Sequence, residues 1–154
     1  MRLTKRNYES GDYEKYIRPL TKINLEQLFI NNFGGWSDLV SETKFFKIID
    51  NGFVELFFLE GEFIGYAAFN TEKENNQSTL LNDIHITKEY QRKGYGTEIL
   101  DSVINKSIEL DHKQIKVFVF KNNPSLKFYK KNGFEEIEHL EKSDTSVMIK
   151  KIKP

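Results

Sequence analysis

The segment Gln91-Arg92-Lys93-Gly94-Tyr95-Gly96-Thr97 decides the fold of this chain. It separates a strand-like run, residues 79–86, from a helix-like run that extends to about Leu110. The first turn of a helix has backbone N–H groups without partners and the positive end of the helix dipole, so it attracts phosphate oxygens. The two glycines allow close approach of the main chain, and the two basic residues add positive charge. The segment therefore predicts a pyrophosphate site.

The spacing of the glycines distinguishes this segment from the common nucleotide motifs. A Walker A loop ends in Gly-Lys-Ser/Thr, and a dinucleotide site has three glycines as GxGxxG. Here the order is Gln-x-x-Gly-x-Gly. This order resembles the coenzyme A pyrophosphate loop of the GNAT acyltransferase superfamily.

A second segment, Asn122-Asn123-Pro124-Ser125-Leu126-Lys127-Phe128-Tyr129-Lys130-Lys131-Asn132-Gly133-Phe134, supports the same resemblance. In the GNAT pattern an Asn ends the fifth strand, a small residue and a Tyr lie on the next helix, and Gly-Phe leads into the sixth strand. The local chemistry agrees, because Asn can cap a helix, Pro suits its first turn and Gly suits its end. The simpler alternative is that Tyr129 is only a core aromatic.

The remaining apolar pattern predicts the other elements of the chain. Strands are predicted over 2–8, 53–59, 63–69, 80–86, 115–120, 134–140 and 146–152. Helices are predicted from an apolar stripe over 25–33, and over 37–49, 94–110 and the segment after Pro124. Residues 72–77 are polar and predict a mobile loop. Residues 115–120 are almost continuously apolar, which predicts a strand covered on both faces.

This order of elements resembles the GNAT fold over essentially the whole chain, residues 1–154, taken as one small domain of bacterial type. The resemblance implies an α/β (α+β) fold with a mixed, mostly antiparallel sheet of about seven strands, flanked by about four helices. The fourth and fifth strands would splay apart. It also implies an N-acetyltransferase that uses acetyl-CoA as co-substrate and moves the acetyl group to a primary amine.

The resemblance also implies which residues bind coenzyme A. The pantetheine arm would lie between the splayed strands like a short added strand. The main chain of Ile84, His85 and Ile86 would bond the arm and hold the thioester carbonyl, and the 91–97 loop would hold the pyrophosphate. Either Asn122 or Asn123 would contact the arm or the adenosine side. Two lysines, Lys127 and Lys130, either face the 3′-phosphate or serve as solvated charges.

Tyr129 is the residue that the resemblance places near the thioester sulfur, as general acid for the departing thiolate. A phenol, with a pKa of about 10, is a sensible acid for this role. The amine would attack the acetyl carbonyl directly, without a covalent enzyme intermediate. Much of the rate would then come from proximity in a ternary complex.

No general base is evident in the sequence. GNAT relatives often have an acid or His where this chain has Asn82, an amide. Strict alternation places Asp83 and His85 on the opposite strand face from Asn82, where we expect them to form structural hydrogen bonds away from the acceptor. A bulge would turn either one toward the cavity. A water chain is the expected route for the proton, and Trp36, Glu42 and residues 72–77 are expected at the rim of the acceptor pocket.

The composition limits the classes of partner that we expect for the protein. The chain has 154 residues, 23 basic and 23 acidic side chains, a net charge of zero, three His and no Cys. This balance does not favour nucleic acid or an anionic membrane as partner, and the absence of Cys excludes disulfides and thiolate metal ligands. No apolar run reaches membrane length and no signal-peptide core is present, so we expect a cytoplasmic protein without a metal.

Several alternatives remain open at this level. The acceptor is a small-molecule amine or a peptide amine: a polyamine, an aminoglycoside-like drug, an amino-acid derivative, or a protein N-terminus or lysine. Whether the protein forms a homodimer, and whether a longer acyl donor replaces acetyl, is equally open. The rival functions are a non-catalytic acyl-CoA sensor, against which Tyr129 argues, and a nucleic-acid-binding domain, against which the zero net charge argues.

Overall fold

A single mixed sheet with helices on both faces forms the protein. The computed structural model describes residues 3–152, so Arg2, part of the first predicted strand, lies outside the described range. The strands are β1 (Leu3–Asn7), β2 (Gly52–Leu59), β3 (Glu62–Glu72), β4 (Asn75–Ile86), β5 (Gln114–Phe120), β6 (Glu135–Leu140) and β7 (Thr145–Lys151). The helices are α1 (Arg18–Phe33), α2 (Asp38–Asn51), α3 (Tyr95–Glu109) and α4 (Ser125–Lys131). Two short turns that the sequence did not predict, a π-helical turn (Tyr13–Ile17) and a 3₁₀ turn (Lys88–Tyr90), precede α1 and the 91–97 loop.

The sheet has the order β1-β2-β3-β4-β5-β7-β6. Every pair is antiparallel except β4 and β5. These two strands pair only through Ser78–Leu80 and Gln114–Lys116, although β4 continues to Ile86 and β5 to Phe120. They therefore diverge and leave a V-shaped gap. The predicted mixed α/β fold with splayed fourth and fifth strands is confirmed.

The two faces of the sheet carry different helices. On one face, α3 and α4 pack on a large core that includes Leu81 of β4 and Val117 of β5. On the other face, the π-helical turn, α1 and α2 pack on β2 and β3, where Tyr66 is fully buried. On this face of β5, Phe29 and Phe33 of α1 contact Phe120 at the end of the strand, but Phe118 is 50% exposed. The prediction that this strand is covered on both faces is wrong.

The polar segment 72–77 was also predicted wrongly. Instead of a mobile loop, β3 extends to Glu72 and β4 begins at Asn75, so only two residues form the turn. Glu72 accepts a 2.7 Å hydrogen bond from Lys116 Nζ, and the carbonyl of Gln77 accepts one from the N–H of Lys113. Pairing with neighbouring strands overrides the weak strand propensity of these polar residues.

Candidate active site

The gap between β4 and β5 forms a cavity of about 350 Å³, which we call the sheet cavity. Residues 82–85 of β4 and 117–120 of β5 form two of its walls. A third wall is formed by Leu25, Leu28 and Phe29 of α1. Asn123, just before α4, and Tyr129 within α4 also line the cavity. Short parallel pairing thus produces the cavity directly, because beyond Leu80 and Lys116 the edges of β4 and β5 that face each other have no strand partner.

The open edge of β4 presents main-chain groups to this cavity. The carbonyl of His85 faces β3, since a Cβ added to Gly65 would lie 2.3 Å from it. Main-chain directions alternate along a strand, so Ile84 and Ile86 point to the opposite, open edge. The Ile86 carbonyl accepts a 2.8 Å hydrogen bond from Gln91 Nε2. Ile84, His85 and Ile86 were predicted to contact the ligand through their main chain. Of these, His85 directs its carbonyl toward β3 and away from the cavity.

The 91–97 loop presents a run of free backbone donors. None of the six N–H groups from Arg92 to Thr97 has a hydrogen-bond acceptor among residues 3–152, and the first helical bond of α3 is donated by Glu98. Arg92 and Gly94 both have left-handed backbone conformations, with φ of 59° and 90°. The space that a Gly94 side chain would occupy is open. The loop can therefore donate several hydrogen bonds to one anion.

The side chains of this loop have distinct surroundings. Gln91 ties the loop to β4, and Thr97 Oγ1 donates to Asn132 Oδ1 at the end of α4. Tyr95 is partly buried against the core. The exposed Arg92 and Lys93 make no salt bridge within the described residues, so their charges are available to a ligand.

Gly96 has a packing role. A Cβ at this position would lie 3.0 Å from Phe128 Cε1 and 3.4 Å from Ile86 Cδ1. The glycine thus allows α3 to contact α4, and its contact with a ligand stays a prediction. A bulky residue at Gly96 would disturb the fold around the loop.

The two adjacent asparagines occupy different environments. Asn123 lines the sheet cavity, and its Oδ1 accepts a 2.9 Å hydrogen bond from the N–H of Ser125, which satisfies one donor at the start of α4. The exposed Asn122 instead exchanges side-chain hydrogen bonds of 3.2 and 3.3 Å with Asn32 of α1. Of the two residues, only Asn123 lines the cavity.

Tyr129 is both a core aromatic and a cavity residue. It is 5% exposed, lies between the rings of Phe128 and Phe134, and lines the sheet cavity. Its hydroxyl forms no hydrogen bond with residues 3–152. Burial raises the pKa of the Tyr129 phenol, and the negative charge of Asp83 raises it further. The phenol is therefore protonated at neutral pH.

Asp83 and His85 form a hydrogen-bonded pair on the face of β4 toward α1. His85 Nε2 lies 3.2 Å from Asp83 Oδ1, and His85 Nδ1 lies 3.3 Å from the amide nitrogen of Asn24, which also donates to the Ile86 carbonyl. Because Nδ1 accepts from this amide, Nε2 carries the proton and donates to Asp83. No described residue donates to Asp83 Oδ2, so this oxygen is free to accept.

Asp83 and His85 both line the sheet cavity, and the bulge considered for this strand is present, while the side on which the acceptor binds stays a prediction. Asn82 is an extra residue in the β3–β4 register, where Ala68 pairs with Asp83 and Phe69 with Leu81. This bulge turns Asn82 and Asp83 to the same side. Asn82 Nδ2 donates a 2.6 Å hydrogen bond to Asn70 Oδ1, which holds the bulge in place.

A second cavity, which we call the helix cavity, lies under α1 and α2. It has a volume of about 410 Å³ and an aromatic lining of Tyr13, Phe29, Phe33, Trp36, Phe45 and Tyr66. Trp36, which was predicted at the rim of the acceptor pocket, lines this cavity. Glu42 does not line the cavity, and residues 72–77 lie at the opposite end of β4.

The two cavities meet. Five residues line both of them: Leu25, Phe29, Lys44, Asn82 and Asp83. The charge of Asp83 contributes, after burial, to a raised pKa of Tyr66 in the helix cavity as well as of Tyr129 in the sheet cavity. Sequence reasoning missed Lys44, Tyr66 and Asn24, because a lysine, a tyrosine and an asparagine at these spacings carry no signal of a site.

No helix within residues 3–152 has the length and apolar composition needed to cross a bilayer. In the same part of the chain, no group of three or more acidic or histidine side chains is arranged to hold a metal ion.

The model of the acetyltransferase (GNAT) family matches residues 21–134. A probable spermine N(1)-acetyltransferase of Bacillus subtilis subsp. natto (strain BEST195) is 29% identical over 102 residues, which are 62% of this chain and 67% of the relative. The structure of PaiA N-acetyltransferase from Thermoplasma acidophilum in complex with coenzyme A superposes with a TM-score of 0.73 and 20% identity, over 98% of this chain and 99% of that one. A GNAT acetyltransferase from Staphylococcus aureus Mu50 has a TM-score of 0.76 and 21% identity, over 99% and 100% of the two chains.

The two solved structures share the fold, and the family match covers well over half of the chain. The predicted family, the enzyme class and acetyl-CoA as co-substrate are thereby confirmed. The chain belongs to the acetyltransferase (GNAT) family, and it is an N-acetyltransferase by this membership.

Proposed function

We propose that the protein transfers the acetyl group of acetyl-CoA to a small-molecule primary amine, by direct attack in a ternary complex. The observation that carries this proposal is the junction of the two cavities at Asp83, which faces Tyr129 across the sheet cavity. Acetyl-CoA supplies an activated thioester. In this proposal the donor occupies the sheet cavity, the acceptor occupies the helix cavity, and the reacting atoms meet between them.

The donor side is supported by main-chain geometry. The six free N–H groups of the 91–97 loop suit a pyrophosphate, and the exposed charges of Arg92 and Lys93 lie beside them. The open edge of β4, with the main chain of Ile84 and the N–H of Ile86, suits the amide groups of a pantetheine arm, while the Ile86 carbonyl already accepts from Gln91 and Asn24. Asn123 lines the same cavity and is the better candidate of the two asparagines to contact the arm.

We assign Asp83 to the acceptor nitrogen. An amine arrives as an ammonium ion, and Asp83 Oδ2 is an unpaired carboxylate oxygen at the junction. His85 donates to the other oxygen and so fixes the orientation of the carboxylate. Asp83 can therefore bind the ammonium and accept its proton, in place of the water chain expected from the sequence.

We assign Tyr129 to the departing sulfur. Its raised pKa keeps the phenol protonated, so it is available as a hydrogen-bond donor and acid. The same burial raises the pKa of a thiol released in this cavity, because loss of solvent disfavours either anion. The negative charge of Asp83 contributes, after burial, to the raised pKa of Tyr129. An ammonium bound to Asp83 offsets this charge. Acceptor binding therefore lowers the pKa of Tyr129 and makes the phenol a stronger acid.

The reaction moves protons as well as the acetyl group. The nitrogen forms a bond to the acetyl carbon, and the bond from that carbon to sulfur breaks. The ammonium loses two protons: Asp83 takes the first before attack, and the second passes to solvent as the amide forms. Tyr129 gives the proton that the sulfur gains. Solvent then reprotonates Tyr129 and takes the proton from Asp83, so one proton is released in each turnover.

The test is a thiol-release assay with acetyl-CoA and a panel of amines, combined with detection of the N-acetylated product. Direct transfer predicts that both substrates must be present before any thiol appears, and that no acetyl-enzyme accumulates. Binding of acetyl-CoA without turnover of any amine would favour the acyl-CoA sensor. Accumulation of acetyl-enzyme in the absence of amine would overturn the ternary-complex mechanism.

A further inference from the structure

The walls of the helix cavity are apolar because their polar atoms are already bonded. Tyr66 OH lies 2.6 Å from Thr21 Oγ1, and Trp36 Nε1 donates a 2.8 Å hydrogen bond to Asp38 Oδ1. Ser37 Oγ accepts from the N–H of Val40. Aromatic rings therefore form most of the surface that a ligand would contact, and two exposed apolar residues, Phe33 and Val40, extend this surface to the rim.

Among the described residues, only two charged side chains line the helix cavity, Asp83 and Lys44. Lys44 makes no salt bridge with any residue in the described range 3–152. Two acids near this part of the fold, Asp38 and Glu14, are already engaged, since both pair with Arg18. The cavity thus offers one carboxylate with an oxygen, Oδ2, that no described residue occupies, and one lysine without a salt bridge, beside a largely apolar surface.

Asp83 and Lys44 lie at the same end of the cavity. Each also lines the sheet cavity, so both charges are at the junction, while most of the aromatic lining lies beyond it. A ligand that satisfies both charges must have its ammonium and an anionic group close together at one end. Its other end must be apolar, because it displaces water from aromatic rings.

We propose that the acceptor is an α-amino acid with a large apolar side chain. Its ammonium pairs with Asp83, its carboxylate pairs with Lys44, and its side chain occupies the aromatic part of the helix cavity. This inference rests on the proposed N-acetyltransfer and names the acceptor class for it. A polyamine fits poorly, because each further ammonium would be buried without a carboxylate partner and would meet the like charge of Lys44.

The experiment compares three acceptors that separate the features of the proposal. L-Phenylalanine has the ammonium, carboxylate and ring, 2-phenylethylamine lacks the carboxylate, and spermidine has several ammonium groups and no ring. Each is titrated into the protein with coenzyme A present by calorimetry, and each is assayed for thiol release from acetyl-CoA. We expect tightest binding and the highest kcat/KM for phenylalanine, about tenfold lower values for phenylethylamine, and the lowest for spermidine.

Lys44→Met is the decisive variant, with Lys47→Met on the same helix as its matched control. The Lys44 variant should lose about tenfold in affinity for phenylalanine and remain unchanged toward phenylethylamine, since only the former has a carboxylate to lose. The KM for acetyl-CoA should stay the same. Lys47→Met should change none of these values.

The outcomes separate the two proposals. Tighter binding of spermidine than of phenylalanine, or an equal loss for both phenyl ligands in Lys44→Met, would overturn the amino-acid acceptor while leaving acetyl transfer in place. A higher KM for acetyl-CoA in that variant, without a change for phenylalanine, would also overturn it and assign Lys44 to the donor. Binding of phenylalanine with no turnover of any amine would support the acceptor cavity and contradict the proposed function instead.

Discussion

The sheet cavity and the helix cavity were unequally visible in the sequence. The sheet cavity depends on main-chain groups at a glycine-containing turn and an unpaired strand edge, and such features impose local sequence patterns such as residues 91–97. The helix cavity is assembled by side chains from the π-helical turn, α1, α2, β3 and β4, which are distant in sequence. Main-chain sites are therefore easier to recognise from one sequence than sites built from side chains.

The apolar stripe of α1 illustrates this limit. Leu25, Phe29 and Phe33 recur with helical spacing, and the same spacing is typical of a helix face that packs on a core. In the structure these three residues line the helix cavity, and Phe33 is 59% exposed. Periodicity shows which face is apolar, and it does not distinguish a packed core from the wall of a cavity.

The largest expected effect belongs to the sheet cavity. Tyr129→Phe keeps the ring that packs between Phe128 and Phe134 and removes only the phenol hydroxyl. Turnover should fall by roughly 10²–10⁴-fold, the range that general acid catalysis contributes. The KM for acetyl-CoA should change much less. Tyr16→Phe, which removes a phenol that lines neither cavity, is the control for steady-state measurements.

A near-normal turnover of Tyr129→Phe, with the chemical step shown to limit the rate, would make this residue a packing aromatic only. The comparison between the cavities would then change, because the donor side would contribute binding and no catalytic side chain.

The second prediction concerns the 91–97 loop and uses a shortened donor. S-Acetylpantetheine lacks the pyrophosphate, so it cannot accept hydrogen bonds from the free N–H groups or pair with the charges of Arg92 and Lys93. Loss of one or two charge-assisted hydrogen bonds predicts an increase in KM of roughly 100-fold. Arg92→Ala should weaken acetyl-CoA and leave S-acetylpantetheine unaffected. Equal KM values for the two donors would remove the loop from the binding site.

The third prediction concerns Asp83 at the junction of the two cavities. Asp83→Asn keeps the size of the side chain but removes the carboxylate that we assign to the ammonium. Turnover at neutral pH should fall by roughly 10²-fold, the lower end expected for loss of a general base. The difference in turnover between Asp83→Asn and the unchanged protein should become smaller as pH rises toward about 10, because more of the amine is then already deprotonated.

A pH profile of kcat/KM for the amine, for Asp83→Asn beside the unchanged protein, measures this effect. Asn31→Asp on the exposed side of α1 controls for a change of one charge. A deficit that stays constant over the whole pH range would show that Asp83 binds or orients the acceptor without taking its proton.

The bulge at Asn82 explains why this junction was not predicted. Alternation along β4 placed Asp83 and His85 on one face correctly, but the acceptor was expected on the other face. The bulge is held by Asn70, twelve positions earlier in the chain, through a single 2.6 Å hydrogen bond. A register shift fixed by a partner on another strand leaves no periodic signal in the strand itself. The order of strands and helices, by contrast, follows from local patterns and was predicted over nearly the whole chain.

The smallest expected effect separates the adjacent asparagines at the boundary of the two regions. Asn123→Ala removes an acceptor for the Ser125 N–H and should lower the free energy of unfolding by about 1 kcal/mol, as typical for a capping residue. Asn122→Ala removes only an exposed side-chain pair with Asn32, and surface changes of this kind stay within about 0.5 kcal/mol. Urea denaturation measures both values.

The Asn122–Asn32 pair also joins the end of β5 to α1, so the KM values for acetyl-CoA and amine in Asn122→Ala report on coupling between the cavities. We expect both to stay within about twofold, because an exposed neutral pair contributes little. A large change in the amine KM alone would show that α1 depends on β5 for its position, and that the two cavities form one cooperative site.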